Sequence, residues 1–177
     1  MIGDELIAEP HFSNDRVITI DAPPERIWPW FAQMGFGRAG WYSWDIVDNL
    51  GRRSATELHD EWMIRQAGDP MPAGPISFDT PIVEPPHHLV IAVLAKRVLA
   101  WQIDFTLAYD LRPNGTVTDV VTRARARIDG PLGRFVAKWL LGPGDGVMVS
   151  KQLREVRRRV HRTSSSPNRR DARPAAR

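Results

Sequence analysis

Tyr42, Asp45, Asp48 and Asn49 are the residues of this chain whose types and spacing best suit acid–base chemistry. Asp45 and Asp48 are three residues apart and Asn49 follows, so a helix would place the three on one face. A tyrosine hydroxyl beside a carboxylate can polarise a carbonyl group or transfer a proton. Tyr42 and Asp45 are therefore the candidate catalytic residues. The alternative is that Asp45 stabilises a helix N-terminus and the others face water.

These residues lie in a segment that is dense in tryptophan. Four of the seven tryptophans fall between positions 28 and 44. Aromatic side chains bury large apolar areas, so the cluster either packs a core or lines a cavity for an apolar ligand. Ligand pockets are mostly apolar and aromatic, with a few placed polar groups. The residues expected to bind such a ligand are Trp28, Trp41, Tyr42, Trp44, Asp45, Trp62, Trp101, Ile103, Phe105 and Met148.

Other types of chemistry find little support in the sequence. The chain has no cysteine, which excludes disulfides and thiolate chemistry and fits a reducing compartment. His87 and His88 are adjacent, so on a strand they point in opposite directions and cannot share a metal ion. The glycines at 35, 37 and 40 have dinucleotide spacing but follow a helical pattern rather than a strand. We expect no metal and no cofactor.

Two short helices are predicted to position the tryptophan-rich segment. Asp15–Ile20 is rich in β-branched residues and predicts a strand, after which Asp21 can cap a helix that begins at Pro23 or Pro24. Pro29 lies too deep in this helix for a first-turn proline and should kink it. The second helix is expected from about Trp44 to Leu50, with Ser43 as its cap. The buried face of the first helix comprises Ile27, Trp30, Phe31 and Met34.

The middle of the chain predicts an antiparallel sheet. Glu61–Ala67 and Leu89–Leu94 are expected strands, and the six prolines between Pro70 and Pro86 restrict that stretch to edge segments. The clearest strands are Leu99–Asp110 and Thr116–Ile128, which alternate apolar and polar residues. Asn114-Gly115 between them predicts a type I′ hairpin.

The alternation assigns one covered face and one solvent-exposed face to these two strands. The inward face carries Leu99, Trp101, Ile103, Phe105, Leu107 and Tyr109, then Thr118, Val120, Thr122, Ala124, Ala126 and Ile128, with no ionisable group except Tyr109. The outward face carries Arg123, Arg125 and Arg127, which are expected to pair with Asp104 and other carboxylates across strands.

The last element is predicted to be a long helix that covers the sheet. Leu132–Leu141 is apolar and helical, Gly142–Gly146 interrupts it, and Val147 to about Arg162 resumes with Val149, Leu153, Val156 and Val160 along one side. The glycine-rich break is either a lid hinge or a fixed kink. A sheet around one long helix, with two short helices closing the gap, encloses a cavity.

Acidic and basic residues are unevenly distributed along the chain. Residues 1–150 hold 14 Lys/Arg and 19 Asp/Glu, so the basic excess lies in the last 27 residues. We predict an N-terminal arm at 1–14, one domain at 15–162 and a disordered basic tail at 163–177. The tail lacks aromatics and nucleic-acid motifs, which disfavours nucleic acid as a partner and leaves peripheral membrane contact open.

No secretory signal or membrane-spanning run is evident, so a cytoplasmic location is expected. The sequence does not specify the oligomeric state.

Several motifs follow one another along the chain: Ala22-Pro-Pro-Glu, Trp28-Pro-Trp, Gln33-Met-Gly, Gly40-Trp-Tyr-Ser-Trp-Asp, Gly68-Asp, Thr122-Arg-Ala-Arg and Val147-Met through Lys151-Gln-Leu. Together these motifs resemble the SRPBCC proteins of the START/Bet v 1-like superfamily, in particular an actinobacterial subgroup described as polyketide cyclase/dehydrase-like. The likeness covers residues 15–160. It implies an α+β helix-grip fold, a curved antiparallel sheet around a long C-terminal helix with two short helices after the first strand. It implies no fixed catalytic set.

Members of this superfamily bind lipids, sterols, polyketides and isoprenoids, and some are cyclases. The resemblance therefore implies binding of a small or medium hydrophobic ligand in an internal cavity, as a carrier or sequestering protein. The alternative is a polyketide cyclase or dehydratase that uses acid–base residues near the two short helices. A third hypothesis is an interaction module that uses the basic C-terminus. The sequence leaves open whether the protein is an enzyme.

Overall fold

A computed structural model describes residues 1–136 and 142–164 of the chain. Six strands form one antiparallel sheet, and short 3-10 helices lie at Asp4–Leu6 and Asp60–Trp62. The strands are β1 (Phe12–Ile20), β2 (Met71–Pro72), β3 (Ser77–Glu84), β4 (His88–Val98), β5 (Trp101–Asn114) and β6 (Val117–Asp129). The α-helices are α1 (Pro24–Ala32), α2 (Asp45–Asp48), α3 (Gly133–Val136) and α4 (Gly142–Ser164).

The sheet order is β1-β6-β5-β4-β3-β2, so β1 leaves the sheet edge through α1 and α2 before the remaining strands follow as a meander. The long helix α4 packs against β1 and α1. The prediction of an antiparallel sheet held around a C-terminal helix, with two short helices after the first strand, is confirmed. As expected for a proline-rich stretch, β2 is only two residues long and β3 lies next to that edge.

The alternation predicted for the two central strands is confirmed on β6. Every second residue from Thr118 to Ile128 is buried, while Arg123, Arg125 and Arg127 lie on the opposite face. The hairpin differs in one detail. Asn114 pairs with Val117, so the loop is Gly115-Thr116, and only Gly115 has a positive φ. That conformation is a type II′ turn rather than the predicted type I′ turn, which needs positive φ at both loop residues.

The outer face of the sheet is covered at its centre, which corrects the prediction that this face meets solvent. The 3-10 segment at the N-terminus lies over it: Gly3 approaches the side chain of Val90, and Ile7 is buried. Asp4 forms ion pairs with Arg123 (2.6 Å) and Arg125 (2.8 Å). Residues of the predicted N-terminal arm therefore belong to the folded domain, and β1 begins at Phe12 rather than at Asp15.

The arginines of the outer face find other partners than Asp104. Arg123 pairs with Asp15, its register neighbour on β1, and Arg127 pairs with Asp129. The carboxylate of Asp104 accepts a hydrogen bond from the backbone N–H of Ala95 instead. A β-bulge between Val93 and Lys96 turns that N–H toward the carboxylate side chain, which explains the exchange of partners.

Three local predictions are wrong. Glu61–Ala67 contains the end of a 3-10 helix and no strand. Neither Asp21 nor Ser43 caps a helix, because Pro23 and Trp44 occupy the N-cap positions without a side-chain hydrogen bond. The second helix is only one turn long. Pro29 lies inside helix α1, as expected, and the kink at this residue stays a prediction.

Helix α4 begins at Gly142, so residues 142–146 form its first turns and not a break. A helix begins readily at Gly142-Pro143, because proline at the first helical position lacks only an N–H that would be unsatisfied anyway. The predicted buried stripe of Val149, Leu153, Val156 and Val160 is confirmed. Half of the predicted Leu132–Leu141 helix, residues 137–141, and most of the basic tail, residues 165–177, lie outside the described residues. The tail's first two residues, Thr163 and Ser164, are helical.

Within the described residues, none of the helices combines the length and the apolar character that a bilayer crossing requires.

Candidate functional site

A network around Gln33 fixes the segment between α1 and α2. The Gln33 amide donates to the Tyr42 hydroxyl (2.6 Å) and to the carbonyl of Glu57 (3.2 Å), and its oxygen accepts the N–H of His59 (2.9 Å). The Tyr42 ring is buried, stacks edge-on with Trp30 and lies 4.6 Å from the Arg159 guanidinium. Burial raises the pKa of Tyr42 well above its usual range. Tyr42 therefore holds this segment together and does not reach the cavity.

Asp45 and Asn49 stabilise the loop after α2 through hydrogen bonds of their side chains. A carboxylate oxygen of Asp45 accepts hydrogen bonds from the hydroxyl (2.6 Å) and the N–H (3.2 Å) of Ser54. The Asn49 side chain accepts from the N–H of Gly37 and donates to the carbonyl of Arg52. Both side chains satisfy backbone groups that a loop would otherwise leave unpaired. The predicted catalytic pair of Tyr42 and Asp45 is thus occupied by structural hydrogen bonds.

A cavity of about 710 Å³ lies between the sheet, the α1–α2 segment and the N-terminal part of α4. Its wall is almost wholly apolar. The strands contribute Phe78, Ile91, Phe105 and Leu107, the α1–α2 segment and the residues after it Phe36, Trp41, Val47 and Leu50, the β2–β3 loop Ala73, Gly74 and Pro75, and α4 Met148 and Val149. As the alternation predicted, none of the strand residues in this wall is ionisable.

Three polar side chains join the wall among the described residues: Ser43, Asp48 and Gln152. The Ser43 hydroxyl donates to the carbonyl of Met148 (3.3 Å). Gln152 is buried and has partners on both sides of its amide, since it accepts from the Tyr109 hydroxyl (2.8 Å) and donates to the carbonyl of Trp41 (3.0 Å). Ser43 and Gln152 therefore stabilise the cavity wall through hydrogen bonds to other parts of the protein.

Asp48 is the ionisable side chain of the wall within the described part of the chain. Both carboxylate oxygens are shielded from solvent, and neither accepts a hydrogen bond of normal geometry. Burial, followed by the charge of Asp45, raises the pKa of Asp48 to about 6, against an opposing effect of Lys151. A carboxyl group with such a pKa is present in both protonation states near neutral pH, as an acid–base catalyst requires.

The structure places three of the ten expected ligand-binding residues in the cavity wall: Trp41, Phe105 and Met148. The tryptophan cluster thus divides into core and cavity. Trp28 is buried in the core, and Trp44 is half exposed with the ammonium group of Lys151 3.7 Å from its ring. Trp62 stacks on His59, and the Trp101 N–H donates to the carbonyl of Pro131. Ile103 lies half-buried on β5, nearer the β4–β5 turn than the wall residue Phe105.

Sequence reasoning missed several wall residues that had usable signals. Leu107 shares the inward face of β5 with Phe105, so the alternation already placed it there. Gln152 adjoins Leu153 in the apolar stripe of α4, and a polar residue beside such a stripe indicates a buried hydrogen bond. Val47 and Leu50 gave no signal, because both side chains border the cavity while remaining mostly exposed, and a pattern of buried residues does not mark them.

The described residues contain no group of three or more His, Asp or Glu side chains with metal-binding geometry. His87 and His88 point to different partners. The His87 ring contacts the carbonyl of Leu111, whereas the His88 ring lies between the carboxylates of Glu84 (2.9 Å) and Asp110 (3.3 Å).

The fold described above is shared by several solved structures. Protein MLL2253 from Mesorhizobium loti is 16% identical, with a TM-score of 0.52 over 85% of this chain and 98% of that chain. The KanY protein is 12% identical, with a TM-score of 0.54 over 85% of this chain and 97% of that one. Protein NE0264 from Nitrosomonas europaea is 10% identical, with a TM-score of 0.52 over 89% and 99%.

No protein-family model matches the chain, and no curated protein matches it in sequence. The structural matches cover nearly the whole domain, and their strand and helix arrangement is the one described above. The chain therefore has the helix-grip fold, an antiparallel sheet around a long C-terminal helix.

Proposed function

We propose that this protein binds a small or medium hydrophobic molecule, such as a lipid, a polyketide or an isoprenoid, and acts as a carrier or sequestering protein. The observation that carries the proposal is the cavity of about 710 Å³ with its apolar wall. A chamber of this size suits a drug-sized or somewhat larger ligand. Burying about 300 Å² of apolar ligand surface contributes about 7 kcal/mol before the cost of association is subtracted.

The wall supports binding by desolvation better than recognition of a highly polar ligand. The hydrogen-bonding capacity of Gln152 is largely used by Tyr109 and Trp41, and Ser43 already donates to a backbone carbonyl. A ligand with many polar groups would leave them unpaired in the chamber, which costs about 1–3 kcal/mol for each group. We therefore expect ligands with long apolar parts and few hydrogen-bonding groups.

The experiment is organic extraction and native mass spectrometry of the purified protein, followed by titration with the neutral dye Nile red. Leu107→Trp fills the cavity and should weaken dye binding at least tenfold. Val17→Trp adds the same side chain at an exposed site on β1 and serves as the matched control. Equal affinity of the two variants, with no co-purified apolar molecule, would refute the proposal.

A cyclase or dehydratase acting on a polyketide-like substrate is the second candidate, and Asp48 is the observation that favours it. Its carboxyl group has a pKa of about 6 and belongs to the cavity wall. The test is incubation with a poly-β-keto thioester and product analysis by chromatography. Asp48→Asn should abolish turnover and retain Nile red binding, whereas turnover equal to wild type would remove Asp48 from the reaction.

Two further parts of the proposal concern location. We infer a cytoplasmic protein, since a chain without cysteine fits a reducing compartment, and cell fractionation tests this. The basic C-terminal tail remains a proposed peripheral membrane contact. Its removal at residue 163 should lower membrane association if the tail contributes.

A further inference from the structure

Two loops meet at the end of the sheet where the β4–β5 turn lies. The Trp101 indole N–H donates to the carbonyl of Pro131 at 2.9 Å, which joins the turn to the β6–α3 connection. Gly130 sits so close to the turn that a Cβ atom on it would lie 2.6 Å from the carbonyl oxygen of Ala100. We call the surface formed by residues 96–99 and 132–135 the basic tip.

Apolar side chains project from the basic tip into solvent. Leu99 is 94% exposed, Leu132 is 78% exposed and Phe135 is 60% exposed. Val98 beside them is also exposed. Single exposed apolar residues are ordinary, but Leu99 and Leu132 lie on two loops that touch, and exposed apolar surface brought together in this way is typical of a binding site.

The backbone holds two of these side chains in a costly conformation. Leu99 has a φ of 53° and Leu132 a φ of 57°, both in the left-handed region. A residue with a Cβ atom is disfavoured there by about 1–2 kcal/mol, and glycine or asparagine would be tolerated better. Folding gains little from two leucines whose side chains are mostly in water. Strain of this kind at an exposed site points to a role in binding.

The charged residues of the basic tip are all cationic. Lys96, Arg97 and Arg134 are exposed, and none of them forms a salt bridge to another described residue. The nearest carboxylates are already engaged, since Asp104 accepts the N–H of Ala95 and Asp129 pairs with Arg127. An incoming anion would therefore not compete with a carboxylate among the described residues.

We propose that the basic tip docks this protein on an anionic membrane surface, with Leu99 and Leu132 entering the boundary between headgroups and acyl chains. Apolar side chains flanked by unpaired cations are the combination that binds such an interface. A stable protein partner instead needs about 800 Å² of matching surface on each side, which two protruding loop tips do not offer. The proposal does not depend on the content of the cavity.

The experiment is co-sedimentation of the full chain with phosphatidylcholine vesicles, with and without about a quarter phosphatidylglycerol, at low and high salt. Wild type should bind the anionic vesicles, and salt should weaken that binding. The variant Lys96→Ser/Arg97→Ser should lower the partition coefficient about 25-fold, or about fivefold for each cation. The variant Leu99→Asn/Leu132→Asn should lower it at least tenfold and fold well, because asparagine accepts a positive φ.

The matched control is Arg157→Ser/Arg162→Ser, which removes two arginines from the C-terminal half of α4. Retention of vesicle binding in this control, together with its loss in both tip variants, supports the proposal. Loss in the control alone would transfer the contact to the basic C-terminus and overturn it. Equal binding to neutral vesicles would also overturn it, as would self-association of wild type that Leu99→Asn/Leu132→Asn abolishes.

Discussion

The Tyr109 hydroxyl donates a hydrogen bond of 2.8 Å to the side-chain oxygen of Gln152, which joins strand β5 to helix α4 beside the cavity. The Gln152 amide then donates to the carbonyl of Trp41 and approaches the sulfur of Met34. One side chain thus connects the sheet, the long helix and the α1–α2 segment. Buried amides of this kind specify position, since any displacement leaves a donor or acceptor unpaired.

Replacing Tyr109 with Phe should therefore destabilise the protein by about 1–3 kcal/mol, because the buried oxygen of Gln152 loses its donor. Urea unfolding followed by tryptophan fluorescence measures the change. The double variant Tyr109→Phe/Gln152→Leu frees the Trp41 carbonyl as well, so it should be no more stable than the single variant. An unchanged unfolding midpoint in Tyr109→Phe would show that this hydrogen bond contributes nothing.

Gly40 and Gly37 offer a matched pair for testing how tightly the segment before α2 is packed. Their φ values are 74° and 73°, so alanine meets the same backbone strain at both. At Gly40 a Cβ atom would lie 2.6 Å from the Ser54 hydroxyl and 3.1 Å from the Asn49 amide, whereas at Gly37 it meets open space. Gly37→Ala should cost about 1–2 kcal/mol.

Gly40→Ala should cost at least about 1 kcal/mol more than Gly37→Ala, because it forces apart the hydrogen bonds of Ser54 and Asn49. Thermal unfolding of both variants gives the difference directly. Nile red affinity should fall further in Gly40→Ala, since Trp41 is the next residue and belongs to the cavity wall. Equal stabilities of the two variants would contradict the tight packing of this segment.

Features that repeat along the chain were predictable. The period-two pattern of β6 placed Thr122 inward and Arg123 outward, and the spacing of Val149, Leu153, Val156 and Val160 gave the buried side of α4. Both patterns sum many small burial preferences over a long element, so single exceptions do not change the outcome. The fold class followed from their order along the chain.

Features that depend on a single side chain were not predictable. Asp45 and Asp48 share one helical turn, yet Asp45 accepts a hydrogen bond from the Ser54 hydroxyl, while Asp48 lies in the cavity wall. Only the packing around α2 decides between them. Likewise, Asp4 forms an ion pair with Arg123, more than a hundred residues away in the sequence. No local pattern predicts that the N-terminal segment covers the outer face of the sheet.

The N-terminal segment covers the outer face of the sheet and is held there by the ion pairs of Asp4. The stability of the folded protein should therefore be sensitive to acid. Burial raises the pKa of Asp4, but hydrogen bonds from the N-terminal ammonium group and Arg125, with the charges of Arg123 and Arg125, lower it to about 2. Because the folded pKa is below the unfolded value of 3.8, the contribution is complete above about pH 4 and is lost as the pH falls through about 2.

Asp4→Asn should therefore be less stable than wild type at neutral pH and should lose less stability between about pH 4 and pH 2. Urea titrations across this range measure the slope. Asp21→Asn replaces an exposed carboxylate elsewhere and is the control. Parallel pH profiles of wild type and Asp4→Asn would show that the N-terminal segment is not held by these charges.

Asp48 should give the opposite dependence on pH. Its folded pKa of about 6 is above the unfolded value of 3.8, so the protonated form is favoured by folding. Stability from this group is complete below about pH 4 and is lost as the pH rises through about 6. Asp48→Asn mimics the neutral carboxyl group and should be about 1 kcal/mol more stable than wild type at about pH 7. The gain is smaller than the pKa difference alone implies, because the residue as a whole is only half-buried and nearby solvent screens its charge.

Protonation of Asp48 should also raise the affinity of the cavity for apolar ligands. A neutral Asp48 leaves the described wall without charge, so wild type should bind Nile red more tightly at about pH 5 than at about pH 7.5, while Asp48→Asn should bind equally at both. Asp45→Asn is the control for charge in α2, and it should lose stability because Ser54 loses its acceptor. A pH-dependent affinity that survives in Asp48→Asn would assign the titrating group to another residue.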